Sequence, residues 1–320
     1  MSQTSFEDTV DTEFEGFRLD VYLAERLEDA SRAFLQKLIR DGQVTVNNRT
    51  CTRAARSVRA GEHVGVTFPA PPSTALEPEN LPLEILFQDA DLIVVNKPAG
   101  MVVHPAPGNY TGTLLNALLF HCPDFRPEGR NALRPGVVHR IDKYTSGVLV
   151  VAKTTAAFIS LSKQAREHTF DRRYLAIVAG EFEESGGRVT AAVGRSVADR
   201  TRMSVTGVRS REAVTRFEVV ERYRVASLLS VTLETGRTHQ IRVHLRFTGH
   251  PVLGDPVYGV TDFSSWRISP ELRTSLEMLQ GQALHAERLG FVHPISGDRL
   301  TFAAPPRPDF QRVLDALRNL

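Results

Sequence analysis

Cysteine is nearly absent from this 320-residue chain, with Cys51 and Cys122 the only two. Two thiols cannot build a disulfide framework or a four-cysteine zinc site, so they are expected to be inert. Long apolar runs are missing as well. Stretches such as Gly147 to Ala152 are strand-sized, far short of the roughly 20 residues that span a bilayer. Residues 1–15 hold Glu7, Asp8, Asp11, Glu13 and Glu15 and no base, which excludes the basic, apolar start of a secretory signal. A reducing, cytoplasmic protein with no membrane partner is expected.

What is present is ordinary in bulk, with 42% hydrophobic and 24% charged residues and a formal net charge of +2. The distribution of charge says more. Residues 31–60 hold Arg32, Lys37, Arg40, Arg49, Arg53, Arg56 and Arg59 against Asp41 alone. A basic block inside a neutral protein fits a phosphate-facing patch or a solvated face.

The chain reads as an acidic tail (1–15), a small α+β module (16–69), a proline-rich linker (70–82) and a large domain (83–320). In the module, Leu19, Leu23 and Leu27 form a helical stripe. Ser31 sits at an N-cap position before a second helix, and Gly42 follows as its stop. The alternating runs Val44–Val46 and His63–Phe68 read as strands, the first closed by an Asn47-Asn48 turn. In the large domain the candidate strands are 92–96, 147–152, 174–178, 215–220 and 228–233. The candidate helices are 113–120, 155–165 and 240–247. A regular βαβ rhythm is missing, so the fold class is α+β with a mixed, largely antiparallel central sheet.

Three polar segments interrupt the apolar pattern: Asn96–Pro105, Val138–Gly147 and Thr235–His244. The second sets Arg140 and Asp142 just before an apolar strand, a common mounting for an active site. The third gathers Arg237, His239, Arg242 and His244 near a helix start, which suits anions. An arginine from the third loop meeting Asp142 would keep that carboxylate ionised and oriented. His104, His139, His239 and His244 suggest a metal only superficially. His239 and His244 are five apart and have no Glu between them, so no metal site is expected and the rings are read as braces of loops.

The first unit resembles the S-four RNA-binding module, through Arg18-Leu19-Asp20, Ser31-Arg32 to Leu38-Ile39, and Gly42 to Asn47. Such modules lay their second helix and following loop on RNA. That implies RNA contacts for Arg32, Lys37, Arg40, Arg49 and Arg53.

The large domain resembles the large-subunit ribosomal-RNA pseudouridine synthases. The resemblance rests on His139-Arg140-Ile141-Asp142 with Thr145-Ser146-Gly147, and on the other two polar segments. It extends to Arg173-Tyr174-Leu175-Ala176, Gly249-His250-Pro251, Gly254-Asp255, Tyr258-Gly259, Ala283–Ala286 and His293-Pro294. Ile141 stands where leucine is usual, a volume-conserving exchange. The resemblance implies an eight-stranded mixed sheet with a catalytic cleft across its middle, and the isomerisation of uridine in structured RNA, 23S rRNA in particular. No redox change or group donor is involved, so no cofactor is implied. Glycine fingerprints for dinucleotides and Walker loops for phosphates are also missing.

Residue by residue, the resemblance makes Asp142 the catalytic carboxylate, which either attacks covalently or assists an elimination. Arg140 matches the arginine that enters the space left by a flipped nucleotide, and Tyr174 the tyrosine that stacks on the base. Arg242 matches the arginine paired with the carboxylate, with Arg237 as the second choice. Arg237 and His139 are also expected on the RNA-facing side. Base flipping is required because the glycosidic bond is inaccessible in a stacked helix. The rival readings are a non-catalytic RNA-binding factor on an old scaffold and a metal-dependent RNA hydrolase. A monomer is expected.

Overall fold

The structure, a computed structural model, describes residues 5–27, 32–68, 76–106, 109–125, 134–199 and 202–320, without the side chains of Arg32, Ala33 and Arg209. The chain divides into two compact units, Met1–Thr74 and Ala75–Leu320. Ser31 and residues 70–75 of the expected linker lie outside the described residues.

The first unit has two helices, Leu19–Arg26 and Arg32–Arg40, and a four-stranded antiparallel sheet. Strand order is Ser5–Thr9, His63–Thr67, Val44–Val46, Arg49–Thr50. Leu19, Tyr22, Leu23, Leu35, Leu38 and Ile39 pack with Val44, Val46, Val64 and Val66 into its core. Asn47 and Asn48 both take positive φ, 49° and 61°, the geometry that lets a two-residue turn join twisted strands. Part of the expected acidic tail is an edge strand of this sheet. Ser5–Thr9 runs against His63–Thr67, and Asp8 accepts hydrogen bonds from Tyr22 and Arg26. A local excess of acid looked like a tail only because its partners lie elsewhere in the sequence.

The second unit is built on a nine-stranded mixed sheet, one strand more than expected. Its order is Glu84–Gln88, Leu92–Lys97, Ser146–Ala152, Leu284–Val292, Asp171–Ala179, Ala226–Leu233, Val214–Tyr223, Gly186–Thr190, with Arg299–Ala303 pairing Leu284–Val292 off this path. All pairs are antiparallel except Ser146–Ala152 with Leu284–Val292. The strand Ser146–Ala152 is buried at every residue. Leu149 and Val151 pack in a cluster with the helix Leu114–His121, and Val148 and Val150 in one with the helix Thr155–Arg166. Burial on both faces explains its unbroken apolar run.

The parallel pair positions the site. Gly147 has φ +117°, and a Cβ there would lie 2.2 Å from the Ala286 carbonyl oxygen. Only glycine permits that approach, and it sets the loop bearing Asp142 at the middle of the sheet.

Candidate active site

Asp142 lies in the loop before Ser146–Ala152, where its carbonyl accepts the Thr145 amide at 3.1 Å. The loop is held from beneath. Lys97 closes the strand Leu92–Lys97 with no exposed surface, and its ammonium donates to the carbonyls of Pro98 (2.7 Å), Met101 (2.8 Å) and Lys143 (3.2 Å). Arg307 donates to the Tyr144 carbonyl at 2.7 Å. Ser146 meets His285 Nδ1 at 2.9 Å, while His285 Nε2 donates to the Ala304 carbonyl at 3.0 Å. That second bond puts the ring proton on Nε2, so the Ser146 hydroxyl donates to Nδ1. Lys97 and Arg307 thus pin the backbone of Lys143 and Tyr144, and His285 the side chain of Ser146, which limits how far Asp142 can move.

Arg242, on the helix Gln240–Phe247, reaches Asp142 Oδ2 through Nη1 at 2.8 Å. Its other edge is taken by Asp255, with Nε to Oδ2 at 2.6 Å and Nη2 to Oδ1 at 2.7 Å. Asp255 in turn accepts the Val257 and Tyr258 amides, and the Arg242 guanidinium lies 5.0 Å from the Tyr258 ring centre. Burial opposes the charge on Arg242, but Asp255 and Asp142 outweigh it and hold the group above its usual range. The side chains of Arg242 and Asp255 are 5% and 0% exposed, while that of Asp142 is 21% exposed. One carboxylate is therefore spent on fixing the arginine, and the other is presented. Asp142 Oδ1 has no hydrogen-bond partner among the described residues.

Asp142 lines two adjoining cavities of about 440 and 260 Å³, together with Arg140, Ile141, His239 and Arg242. Tyr174 lines the larger one. The ring is buried, which pushes its hydroxyl above the usual range, with Arg172 opposing and Asp142 adding to the effect. A flat aromatic wall beside a carboxylate held by an arginine suits an extruded base.

Comparisons with known proteins bear on the family of the chain as a whole. The family model described as RNA pseudouridylate synthase matches residues 91–247. The chain is 45% identical to the ribosomal large subunit pseudouridine synthase D of Zymomonas mobilis, over 97% of this chain and 96% of that protein. It is 44% identical to an uncharacterised RNA pseudouridine synthase of Synechocystis, over 95% and 90%. This chain belongs to the RNA pseudouridylate synthase family. A solved structure of human RNA pseudouridylate synthase domain containing 4 superimposes with a TM-score of 0.55 at 26% identity, covering 73% of this chain and 93% of that one. The S4 domain model matches residues 17–64. The pseudouridylate synthase is thus an isomerase that acts on RNA, with an RNA-binding module in its first unit.

Within this synthase, Asp142, Arg140, Tyr174 and Arg242 all line one cavity, as do Arg237 and His139. Arg140 is exposed and donates to the Thr238 hydroxyl at 2.9 Å, bridging two of the polar loops. Arg237 is not the carboxylate's partner; its Nε donates to the Glu212 carbonyl at 3.0 Å. His139 lines that cavity with its ring bonded inward. Its Nε2 accepts the Val150 amide at 3.1 Å, and its ring stands edge-on to Phe170. Burial, and then the charge of Arg172, push it down to about 3, so it is neutral and bonded inward. Lys37, Arg40, Arg49 and Arg53 are exposed on the first unit, and the Arg32 side chain lies outside the described residues.

Two functional residues escaped the sequence reading. Asp255 stood only as a motif residue, although its Gly254-Asp255-Pro256 turn is the local signal for a carboxylate that caps backbone amides. Lys97, within the polar segment Asn96–Pro105, lies wholly beneath the loop. A lysine closing a mostly apolar strand was the available sign. For metals, the described residues contain one grouping, Asp89, Asp91 and His293. None of the three lines the cleft, and Asp89 is already engaged by His293 and by the Asp91 and Leu92 amides.

Proposed function

We propose that this enzyme converts uridine to pseudouridine in large-subunit ribosomal RNA, with Asp142 as the catalytic carboxylate. The observation that carries the role of Asp142 is the chain Asp255–Arg242–Asp142, which orients a partly exposed carboxylate at the junction of two cavities. The RNA class follows the names of relatives that match nearly the whole chain.

In the reaction the N1–C1′ bond breaks and a C5–C1′ bond forms. The proton on C5 is lost and N1 regains one, so the product is an isomer of the substrate. Arg242 aims Asp142 with a charged hydrogen bond, ready either to attack as a nucleophile or to assist an elimination. Tyr174 supplies the stacking surface that offsets part of the few kcal/mol needed to extrude the base. Arg140, released from Thr238, would fill the space left in the RNA. The exposed bases of the first unit add affinity through phosphate contacts. This work is expected of a monomer in the cytoplasm.

The test is Asp142→Asn on an unmodified large-subunit rRNA transcript, with pseudouridine mapped by chemical sequencing. Formation of pseudouridine should be lost while RNA binding is largely kept. Conversion at the wild-type rate would remove Asp142 from the role. Mapping rRNA from cells with and without the gene identifies the target, and an unchanged map would exclude rRNA.

A further inference from the structure

Asp171, Arg172 and Arg173 open the strand Asp171–Ala179. The outer two are paired with the neighbouring strand Leu284–Val292, Asp171 with Arg288 and Arg173 with Glu287. Arg172 is not. Its Nε and Nη2 are closed to solvent and have no hydrogen-bond partner among the described residues. Donors in that condition are unfavourable, the more so on a charged group, and native structures rarely leave them so without a reason.

The surroundings supply the reason. Arg172 lines the larger cavity and stands two residues before Tyr174, hence on the same face of the strand. Arg140, Arg166 and Arg237 line that cavity too, and among the described residues its only carboxylate is Asp142, which Arg242 already holds. The cavity is therefore rich in cations and short of acceptors. Gly236 marks the position of the guanidinium, since a Cβ there would come within 2.9 Å of Arg172 Nη1. His139 and His168 line the same region, and both are pushed below their usual range by burial and next by Arg172. They do not compete as cations.

We propose that Arg172, swinging its unpartnered edge out into the cavity when RNA binds, clamps a backbone phosphodiester at the target nucleotide, donating Nε–H and Nη2–H to its two non-bridging oxygens. This deepens the functional reading above and rests on it. The two unpartnered donors form one edge of the guanidinium, the same edge with which Arg242 holds the carboxylate of Asp255. Such an edge matches two oxygens on one atom. Uracil presents acceptor, donor, acceptor along its pairing edge, which an all-donor fork does not match.

The experiment uses the full-length protein and an unmodified large-subunit rRNA transcript, with dissociation constants measured across a salt series and with steady-state kinetics. Arg172→Ala should raise Kd and KM roughly tenfold, as expected for a charge-assisted pair, with kcat changed less. The slope of log K against log salt should shrink by about one. Arg172→Lys should restore the slope and only part of the affinity, because the charge returns without the fork. Gly236→Ala, which displaces the guanidinium without deleting it, should weaken binding in the wild-type background and add nothing to Arg172→Ala. Gly236→Ala thus keeps the assignment open to refutation if Arg172→Ala folds poorly. Unchanged Kd and salt slope in both variants would overturn the proposal. A loss confined to kcat would also overturn it, by placing Arg172 against the base. Wild-type protein that binds the transcript but leaves it unmodified would refute the rRNA reading, and the binding series would still decide Arg172.

Discussion

Asp255 grips Arg242 with both carboxylate oxygens, at 2.6 and 2.7 Å, and so leaves the arginine one free nitrogen, which points at Asp142. The geometry of the Asp142 carboxylate is thereby set by a residue that lines neither cavity.

Asp255→Asn should lower kcat about 100-fold, the scale of losing one preorganised electrostatic contact, while KM moves little. It should also destabilise the fold by about 3 kcal/mol, because a buried charge loses its counter-charge. Steady-state kinetics and urea unfolding check the two effects separately. Wild-type kcat in a variant of lowered stability would show that Asp255 serves the fold alone.

Lys97→Met should cost about 2 kcal/mol, since it removes a donor from buried carbonyls. Burial pushes Lys97 down to about 7, Asp142 opposing and Arg307 adding to the fall. The ordinary value is higher, 10.5. Between those values the unfolded chain binds the extra proton, so the wild type gains stability as pH rises above 7. The stability difference between wild type and Lys97→Met should therefore widen from pH 7 upward, as read from urea midpoints across that range.

His139 predicts the acid side. It is neutral in the fold, pushed to about 3, against an ordinary value of 6.5. The unfolded chain takes up its proton first as pH falls through 6.5. Stability should decline from there toward pH 3, by at most about 1.4 kcal/mol per pH unit from this group. His139→Gln should flatten that part of the profile. An identical acid profile in the two proteins would remove His139 as its source.

The basic face of the first unit predicts a salt effect. Replacing Lys37, Arg40, Arg49 and Arg53 together by glutamine should weaken rRNA binding and lower the salt slope by up to about four. Turnover at saturating RNA should change far less. A slope equal to that of wild type would mean these side chains face solvent in the complex.

The elements themselves were legible because their causes are local. The helix Gln240–Phe247 and the strand through Ser146–Ala152 follow from periodicity and an unbroken apolar run. Asp142, Arg140 and Tyr174 were legible as motif residues. The strand Ser5–Thr9 was not, because its partner lies more than fifty residues away. Edge strands are specified by pairing, which composition does not record.

By itself, the sequence determined the α+β class, the S-four-like module and the family. Those depend on the order and spacing of residues along the chain. Only the tertiary structure decided that Asp255 fixes Arg242 against Asp142, that Lys97 lies beneath the loop and that Arg172 is left unpaired. Each of these depends on which groups meet across the sheet and how far water is excluded from them, and neither quantity is a property of a residue and its neighbours in sequence.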